Sequence, residues 1–384
     1  MTVGAVCEVL PGYAFPEELQ GKSVGRYPFC KVRDVSKAVA EAGGALESAA
    51  NYVDERDVSE LRAKPLPIGT TVFAKIGEAL RLNRRAITKR ECFIDNNVVG
   101  LKSSLDMGDD YFIYLTSQRI DLTEYCGGAV PSVNKTTLEA ISIPIPGLRE
   151  QRKIAACLFS LDGLIAAEAK TLDTLKVYKK GLMQQLFPQE GEMVPQLRFP
   201  EFRGMGEWRL RTLEEVCAMQ AGKFVAASEI FDNQAVDRYP CFGGNGLRGY
   251  TMTFTHSGRY SLIGRQGALC GNVNFVQGDF YATEHAVVAT PKAGTDTGWL
   301  YFELSFLDLN QYATGQAQPG LSVEVLEKVE CVIPELVDEQ SRIADFLSSL
   351  DQRIATQAQK VEALKIHKKG LMHQLFPAMA EGTE

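Results

Sequence analysis

The feature that most constrains this chain is a segment of 39 residues that occurs twice. Residues 150–188 read EQRKIAACLFSLDGLIAAEAKTLDTLKVYKKGLMQQLFP, and residues 339–377 read EQSRIADFLSSLDQRIATQAQKVEALKIHKKGLMHQLFP. The copies align without a gap at an offset of 189 residues, and 22 of the 39 aligned positions are identical. A repeat of this kind indicates a duplicated structural unit. The chain of 384 residues is therefore predicted to be a tandem duplication.

Both copies have the apolar spacing of a long amphipathic helix. Apolar residues recur at intervals of four and three, which places them along one narrow seam. The seam consists of Ile154, Leu158, Leu161, Ile165, Leu172, Leu175, Leu182 and Leu186 in the first copy, and of Ile343, Leu347, Leu350, Ile354, Val361, Leu364, Leu371 and Leu375 in the second. A helix of about 36 residues would be roughly 54 Å long. Two matched seams predict an antiparallel coiled coil, and the alternative is that each helix packs only against its own domain.

Polar residues interrupt the seam at matched positions in both copies. Glu168 and Lys179 interrupt the first seam, and Gln357 and Lys368 interrupt the second. Polar seam residues can fix the register of a coiled coil at some cost in stability, or they can leave the seam open to partner helices. We expect the second role near the Lys-Lys-Gly-Leu-Met end of each copy.

Two globular segments precede the repeated helices, and their edges resemble each other. Val6 and Cys7 correspond to Val216 and Cys217, while the central residues of the two segments do not align. Apolar runs bounded by Gly and Pro predict strands at 27–32, 70–76, 92–99 and 141–145, with helices at 36–50 and 110–122. We predict an α+β fold in which two mixed α/β domains with twisted sheets are separated by the two long helices, with pseudo-twofold symmetry. The predicted boundaries are 1–148 and 189–336 for the domains, the second including an extended connector, and 149–188 and 337–384 for the helices.

Composition limits the cellular setting and the class of partner. The formal net charge is −7 and the isoelectric point is near 5.4, which argues against a stand-alone nucleic-acid binder but fits a subunit that shares DNA with a partner. Nine scattered cysteines without a Cys-x-x-Cys pair predict free thiols in a reducing cytoplasm. No apolar run is long enough for a membrane span, the start lacks a basic signal-peptide region, and the four histidines lack zinc-ligand spacing.

A basic stretch in the first domain is a candidate phosphate-binding loop. The sequence RLNRRAITKR contains five basic residues and no acidic residue. The candidate phosphate contacts are Arg81, Arg84, Arg85, Lys89 and Arg90. Such contacts would supply affinity but little sequence information. The alternative is a solvated charged face.

A glycine-rich turn and a second turn in the second domain are candidate base-reading elements. Residues 242–249 match two cofactor fingerprints formally, but a strand-like segment follows where a dinucleotide site needs a helix. A DNA-facing turn carrying Asn245 and Arg248 fits better, with an ordinary hairpin turn as the alternative. Arg265 and Gln266 could pair with guanine and adenine edges, or they could point into water from a tight turn.

Catalytic motifs are missing from the sequence. It has no Asn-Pro-Pro-aromatic motif for adenine methylation, no Pro-Asp dipeptide for the common nuclease pattern and no phosphate-binding Gly-x4-Gly-Lys-Ser/Thr loop. His285 beside Glu284 is too isolated to be identified as a catalytic pair. We therefore predict a protein without catalytic residues, bound metal or cofactor.

The repeated motifs resemble the specificity subunit of type I restriction-modification systems. The resemblance rests on the doubled Glu-Gln-x-x-Ile-Ala opening, the doubled Lys-Lys-Gly-Leu-Met-x-Gln-Leu-Phe-Pro ending, LRFPEF at 197–202 with Trp208, and RYPCFGGNGLRGY. One departure is that the first domain begins without the Trp-containing lead-in seen at Trp208.

The resemblance implies that each domain is a target recognition domain for one half of a bipartite double-stranded DNA site. The two helices would pair, set the spacing of the half-sites, and dock two methyltransferase subunits and restriction subunits. S-adenosylmethionine, ATP and Mg would then be bound by the partner subunits. The implied docking residues are Lys179, Lys180, Leu182, Met183, Lys368, Lys369, Leu371 and Met372.

Two alternatives from other classes remain open at the level of sequence. The first is a self-contained DNA methyltransferase, which would bind S-adenosylmethionine tightly by itself. The second is a coiled-coil scaffold that binds proteins only, which would leave no DNA footprint even when its partners are supplied.

Overall fold

The computed structural model describes residues 1–14, 16–61, 63–104, 106–127, 130–267, 269–315 and 319–377. The end of the predicted segment 337–384, residues 378–384, lies outside this range. The chain forms two compact units. Unit 1 comprises Met1–Lys170 and Gln359–Glu384, and unit 2 comprises Thr171–Ala358. Each unit therefore contains a globular segment, part of the first long helix and part of the second.

The globular part of unit 1 contains two sheets. Its elements are α1 (Val3–Val6), β1 (Cys7–Pro11), β2 (Tyr27–Cys30), α2 (Val32–Glu41), β3 (Ala45–Leu46), β4 (Asn51–Val53), α3 (Glu55–Leu61), β5 (Thr71–Ala74), α4 (Glu78–Arg81), β6 (Ala86–Thr88), β7 (Phe93–Ile94), β8 (Val98–Ser103), α5 (Asp110–Gln118) and α6 (Lys135–Ala140). One sheet has the strand order β1-β8-β5-β6-β3, and the other has the order β4-β2-β7. The first long helix, α7 (Leu148–Leu186), follows.

Unit 2 contains one larger sheet and one short ribbon. Its elements are β9 (Arg209–Thr212), α8 (Leu213–Val216), β10 (Cys217–Ala221), β11 (Tyr239–Gly243), β12 (Gly246–Thr251), β13 (His256–Gly264), β14 (Val273–Ala282), β15 (Ala286–Pro291), α9 (Thr297–Phe306), α10 (Val323–Glu327) and β16 (Glu330–Ile333). The larger sheet has the order β10-β15-β13-β14-β11-β12, and the ribbon pairs β16 with β9. The second long helix, α11 (Val337–Leu375), completes the chain.

The two long helices run antiparallel in each unit and are joined by ion pairs. In unit 1 the ammonium group of Lys368 lies 2.6 Å from the carboxylate of Asp162, and that of Lys360 lies 2.6 Å from the carboxylate of Glu168. The later residue of α7 pairs with the earlier residue of α11, as antiparallel helices require. In unit 2 Lys179 lies 2.6 Å from Asp351. Seam residues such as Leu158 and Leu347 are fully buried in the cores of their own units. The predicted fold class is confirmed, whereas the pseudo-twofold symmetry stays a prediction.

The ion pairs correct one prediction about the seam. Lys179 and Lys368 were expected to leave the seam open to partner helices. Their side chains are instead only 17% and 21% exposed, and each pairs with an aspartate of the other long helix within its own unit. Polar seam residues here have the register-fixing role, because a shift of one turn would leave these half-buried charges without partners.

A buried glutamine anchors the start of each long helix to the domain that precedes it. The amide of Gln151 donates to the carbonyls of Met107 and Pro146 and accepts from the backbone N–H of Asp109. The equivalent Gln340 donates to the carbonyls of Gly294 and Pro334 and accepts from the N–H of Asp296. Both side chains are at most 1% exposed. The Glu-Gln opening of the repeat is therefore a structural anchor between helix and domain.

The preceding glutamate behaves differently in the two units. Glu339 is 1% exposed, forms a bidentate ion pair with Arg198 at 2.7 Å, and accepts from the indole N–H of Trp208 at 3.2 Å. The extended connector is thus fixed to the start of α11. Glu150 occupies the equivalent position on α7 and is exposed.

Three local predictions differ from the structure. The predicted helix 36–50 is α2, which begins at Val32 and ends at Glu41. It ends because Gly44 adopts a φ of +92° and its N–H bonds to the carbonyl of Ala38. The predicted strand 92–99 is divided between β7 and β8. In the predicted strand 141–145, only one isolated bridge forms, between Thr2 and Ser142.

Arg85 belongs to the core of unit 1, although it was predicted to contact phosphate. Its side chain is 3% exposed, donates to the side chain of Asn83 and the carbonyl of Ile120, and lies 4.3 Å above the ring of Phe73. Burial lowers the pKa of its guanidinium to about 9, which keeps the group charged at pH 7. The sequence shows only the charge, and the packing against Phe73 decides which way the side chain points.

We expect Gln340→Ala to lower the free energy of unfolding by about 2–4 kcal/mol, because it leaves two carbonyls and one N–H buried without partners. Gln352→Ala on the exposed side of α11 is the matched control and should change stability by less than about 0.5 kcal/mol. Chemical denaturation measures both variants. Equal effects of the two substitutions would contradict the anchor.

We expect Arg85→Ala to lower the free energy of unfolding by about 2–4 kcal/mol through the loss of buried hydrogen bonds and ring contact. Arg84→Ala, which removes the exposed neighbouring guanidinium, should leave stability within about 0.5 kcal/mol of the wild type. Thermal and chemical unfolding of the pair test this. A stable Arg85→Ala variant with weakened DNA binding would restore Arg85 as a phosphate contact.

Candidate nucleic-acid interface and docking surfaces

Three loops of unit 2 converge on one open cavity. The β11–β12 hairpin, the turn after β13 and the β14–β15 loop line a cavity of about 380 Å³. The side chains that it brings together are those of Asn245, Arg248, Gln266 and His285. Two turns that were predicted separately, 242–249 and 264–267, therefore line one cavity.

Close backbone contact holds the hairpin against the neighbouring turn. A Cβ atom added to Gly264 would lie 2.1 Å from the carbonyl oxygen of Gly244, so only glycine fits there. The N–H of Arg265 bonds to the carbonyl of His285, and the carbonyl of Arg265 accepts from the N–H of Leu321. These contacts fix the backbone and do not depend on which side chains stand at the loop tips.

The side chains of the cavity can recognise the edges of bases. Asn245, Arg248 and Gln266 are exposed, and the ring of His285 lies 3.3 Å from a carboxylate oxygen of Glu284. Arg265 is half-buried and its Nε donates to the carbonyl of Leu321, so part of its guanidinium is used within the domain. Amide and guanidinium groups supply the donors and acceptors that distinguish bases in the major groove. His285 was considered above only as a catalytic residue, and the structure places it beside the candidate base-reading groups.

The glycine fingerprint of this region lies on a hairpin. Residues 244–249 include the turn into β12, and β12 is a strand. The helix that a dinucleotide site needs after its glycines is therefore replaced by a strand.

Unit 1 contains a counterpart of this site that sequence comparison missed. Lys75 and Ile76 follow β5, just as Arg265 and Gln266 follow β13. The next residue is a glycine in both units. The N–H of Gly77 donates to the carbonyl of Pro131, and the N–H of Gly267 donates to the carbonyl of Pro319. The N–H of Lys75 bonds to the carbonyl of Asn97, as that of Arg265 bonds to His285. Lys75, Ile76, Asn96 and Asn97 are therefore the unit 1 counterparts of Arg265, Gln266, Glu284 and His285. These residues share backbone positions but not side-chain chemistry, which is why the sequences do not align.

The two units differ most in the elements that follow strands β2 and β11. In unit 1 β2 leads directly into helix α2, whereas in unit 2 β11 leads into the hairpin with β12. Strands β2 and β11 nevertheless have equivalent neighbours. β2 pairs in parallel with β7, which precedes the loop with Asn97, and β11 pairs in parallel with β14, which precedes the loop with His285. A common backbone framework thus carries a helix in unit 1 and a hairpin in unit 2.

The basic stretch of unit 1 does not form one continuous face. Arg81 and Arg84 are exposed, and Arg81 lies 3.6 Å from Glu78. The ammonium of Lys89 lies 5.1 Å from the ring of Phe159 on α7, and Arg90 donates to the carbonyl of Arg26. Arg81, Arg84 and Arg90 are the members with exposed side chains, and their contact with phosphate stays a prediction.

The predicted docking residues fall into three groups. Lys179 and Lys368 pair with aspartates, as described above. Four apolar members pack partly or fully against their own cores, namely Leu182, Met183, Leu371 and Met372. Lys180 and Lys369 are exposed.

A matched pair of exposed apolar residues was not predicted. Val177 is 72% exposed and Ile366 is 63% exposed, and they occupy the same position of the repeat. Each lies three residues before an exposed lysine, Lys180 or Lys369, and so on the same side of its helix. The sequence signal was available: an apolar residue outside the seam in both copies.

The described residues contain neither a metal-binding cluster nor a membrane-spanning helix. No group of three or more His, Cys, Asp or Glu side chains there is arranged to hold a metal ion. No helix in the described part of the chain has the length and apolarity to cross a membrane.

Comparisons with known proteins identify the fold and the family. The model of the type I restriction modification DNA specificity domain matches residues 1–177 and 205–365. The EcoprrI specificity subunit of Escherichia coli is 44% identical over 146 residues, which is 38% of this chain and 36% of that protein. The MjaVIII specificity subunit of Methanocaldococcus jannaschii is 24% identical over 314 residues, covering 74% and 73% of the two chains.

A solved structure shares the fold over nearly the whole length. The type I restriction-modification S subunit from M. genitalium covers 99% of this chain and 96% of its own, with a TM-score of 0.68 and 15% identity. The family model covers most of the chain and includes both units. The protein therefore belongs to the family of type I restriction-modification specificity subunits.

Proposed function

We propose that this chain recognises a bipartite DNA site, with one half-site read by each unit, and docks methyltransferase and restriction subunits. The observation that carries the proposal is the shared framework with different side chains at its loop tips. Lys75, Ile76 and Asn97 in unit 1 and Arg265, Gln266 and His285 in unit 2 have equivalent backbone positions. Two different sets of side chains on one framework suit two different half-sites.

The two long helices suit a fixed spacing between the half-sites. Each helix has 39 residues and is roughly 58 Å long. Major-groove faces recur at about 34–36 Å along DNA. Helices of this length, tied to the domains by Gln151 and Gln340, support a constant unread spacer.

The charge of the chain indicates that partners share the DNA contacts. The 48 acidic residues outnumber the 41 lysines and arginines, and this net charge of −7 opposes binding of the chain to DNA phosphates by itself. Methylation and cleavage belong in this proposal to partner subunits, which would supply S-adenosylmethionine, ATP and Mg. One solved structure of similar fold, with a TM-score of 0.55 and 17% identity, comes from work on complex assembly of the type I restriction-modification system.

Methylome sequencing of cells that carry this chain and its methyltransferase tests the function. We expect methylated adenines in one motif with two specific halves and a spacer of constant length. A contiguous motif would contradict bipartite reading. Tight binding of S-adenosylmethionine by the isolated chain would favour a self-contained methyltransferase, and a missing DNA footprint with all partners present would favour a protein scaffold.

Substitutions at the loop tips should change one half-site at a time. We expect Arg248→Ala and Gln266→Ala each to relax the requirement for one base in the half-site read by unit 2, with a discrimination loss of about 5–150-fold. Lys75→Ala and Asn97→Ala are the matched controls in unit 1 and should affect the other half-site. Methylome sequencing reports both, and a change in both half-sites from either pair would contradict independent reading.

Charge placed at the matched exposed positions should weaken methyltransferase docking. We expect Val177→Asp and Ile366→Asp each to reduce the affinity of one methyltransferase by about tenfold or more, because a carboxylate would be desolvated in an apolar contact. Val177→Ile and Ile366→Val, which exchange the residues of the two copies, should bind normally. Titration calorimetry measures the effect, and normal affinity of both aspartate variants would exclude these positions from the interface.

A further inference from the structure

A second cavity in unit 2 has an acidic lining that the proposed function does not use. It has a volume of about 320 Å³ and lies beside the end of α7, where Pro188 approaches α9 and β16. Glu190, Glu303 and Glu330 line it, together with Gln311 and Tyr312. We call it the Glu303 cavity. Among the described residues that line it there is no lysine, arginine or histidine.

Glu303 is a buried carboxyl group with an unused acceptor. Its side chain is 3% exposed, and the backbone N–H of Val332 donates to it. Its Oε2 atom has no hydrogen-bond partner among the described residues. Burial raises the pKa of Glu303 to about 8, so the group is mostly protonated at pH 7. An unpaired buried acceptor is costly, and a cation that entered the cavity would remove the cost.

Unit 1 shows how a cation is accommodated at the equivalent place. Helices α5 and α9 begin after the equivalent capping residues Asp109 and Asp296. Thr116 on α5 therefore corresponds to Glu303 on α9, and Arg119, the C-cap residue of α5, corresponds to Phe306. Arg119 donates to the carbonyl of Pro377 at 2.8 Å, and its guanidinium lies 5.3 Å from the ring of Phe376.

The equivalent surroundings in unit 2 lack this arginine. Pro188 and Phe187 are the repeat counterparts of Pro377 and Phe376, and Phe306 stacks on Phe187 at 5.1 Å. Pro188 and Phe306 both line the Glu303 cavity. Unit 1 therefore supplies the guanidinium of Arg119 from within the unit at the end of the repeat, whereas unit 2 has the carboxyl group of Glu303 and an open volume there.

We propose that the Glu303 cavity receives an arginine or lysine side chain of the methyltransferase subunit. This inference rests on the proposed function, because it assumes that a methyltransferase docks near the ends of the repeated helices. Entry of the cation favours the carboxylate form of Glu303, which releases a proton to solvent. Glu190 and Glu330 at the exposed rim attract the same cation. The docking sites on the two units then differ, since in unit 1 Arg119 already supplies a cation at the end of the repeat.

Glu303→Gln tests the proposal in the full chain. The substitution removes the charge and keeps the size of the side chain, and Thr116→Val at the equivalent buried position of unit 1 is the matched control. We expect Glu303→Gln to weaken one of two methyltransferase binding events by about tenfold or more, the range of a charge-assisted hydrogen bond. Thr116→Val should change neither event. Thermal unfolding verifies that both variants are folded.

Proton release provides an independent readout. Calorimetric titration at pH 7 in buffers of different ionisation enthalpy should show about one proton released on methyltransferase binding to the wild type, and less for Glu303→Gln. Normal affinity together with unchanged proton release in Glu303→Gln would overturn the proposal and leave the proposed function intact.

A small-cation probe separates failure of the proposal from failure of the proposed function. If the wild-type chain binds no methyltransferase, the proposed function fails and the proposal fails with it. Ethylguanidinium chloride at millimolar concentration should bind the isolated wild-type chain and not Glu303→Gln. Probe binding without an effect of Glu303→Gln on methyltransferase affinity would identify a site for small organic cations and overturn the assignment to the methyltransferase.

Discussion

The fold depends on one buried side-chain amide at the start of each long helix. Gln151 and Gln340 each form three hydrogen bonds, to the loop before a helix of the domain and to the proline that precedes the long helix. A buried amide tolerates little displacement, because each lost partner leaves a polar group without a hydrogen bond. The ion pairs of Asp162 with Lys368 and of Asp351 with Lys179 fix the register of the two helices. Domain and helix are thereby joined rigidly in each unit.

Sequence reasoning was most successful where the physical signal is periodic or repeated. The long helices, their seam and the presence of two mixed domains follow from the repeat and its apolar spacing. The direction of side chains was harder to predict. Arg85 was predicted to be one of five surface cations, but it packs on Phe73. Lys179 and Lys368 were predicted to leave the seam open, but they pair with aspartates. Charge alone does not show whether a partner lies nearby in the fold.

Only part of the candidate base-reading site could be predicted from the sequence. Glycines and polar residues marked the two turns of unit 2, but their convergence with His285 depends on strand pairing between distant segments. In unit 1 the counterpart contains Lys75, Ile76 and Asn97, which do not align in sequence with Arg265, Gln266 and His285. Its location follows from backbone hydrogen bonds that both units share. Those bonds constrain the backbone and not the identity of the side chains at the loop tips, so sequence similarity is lost at those tips.

The central claim is that the two units recognise their half-sites independently on a common framework. The most direct measurement is the methylated motif of a chain in which residues 216–314 are replaced by the equivalent region of another specificity subunit. We expect one half of the motif to be exchanged, while the other half and the spacer length are retained. A change in both halves, or in the spacer, would contradict it.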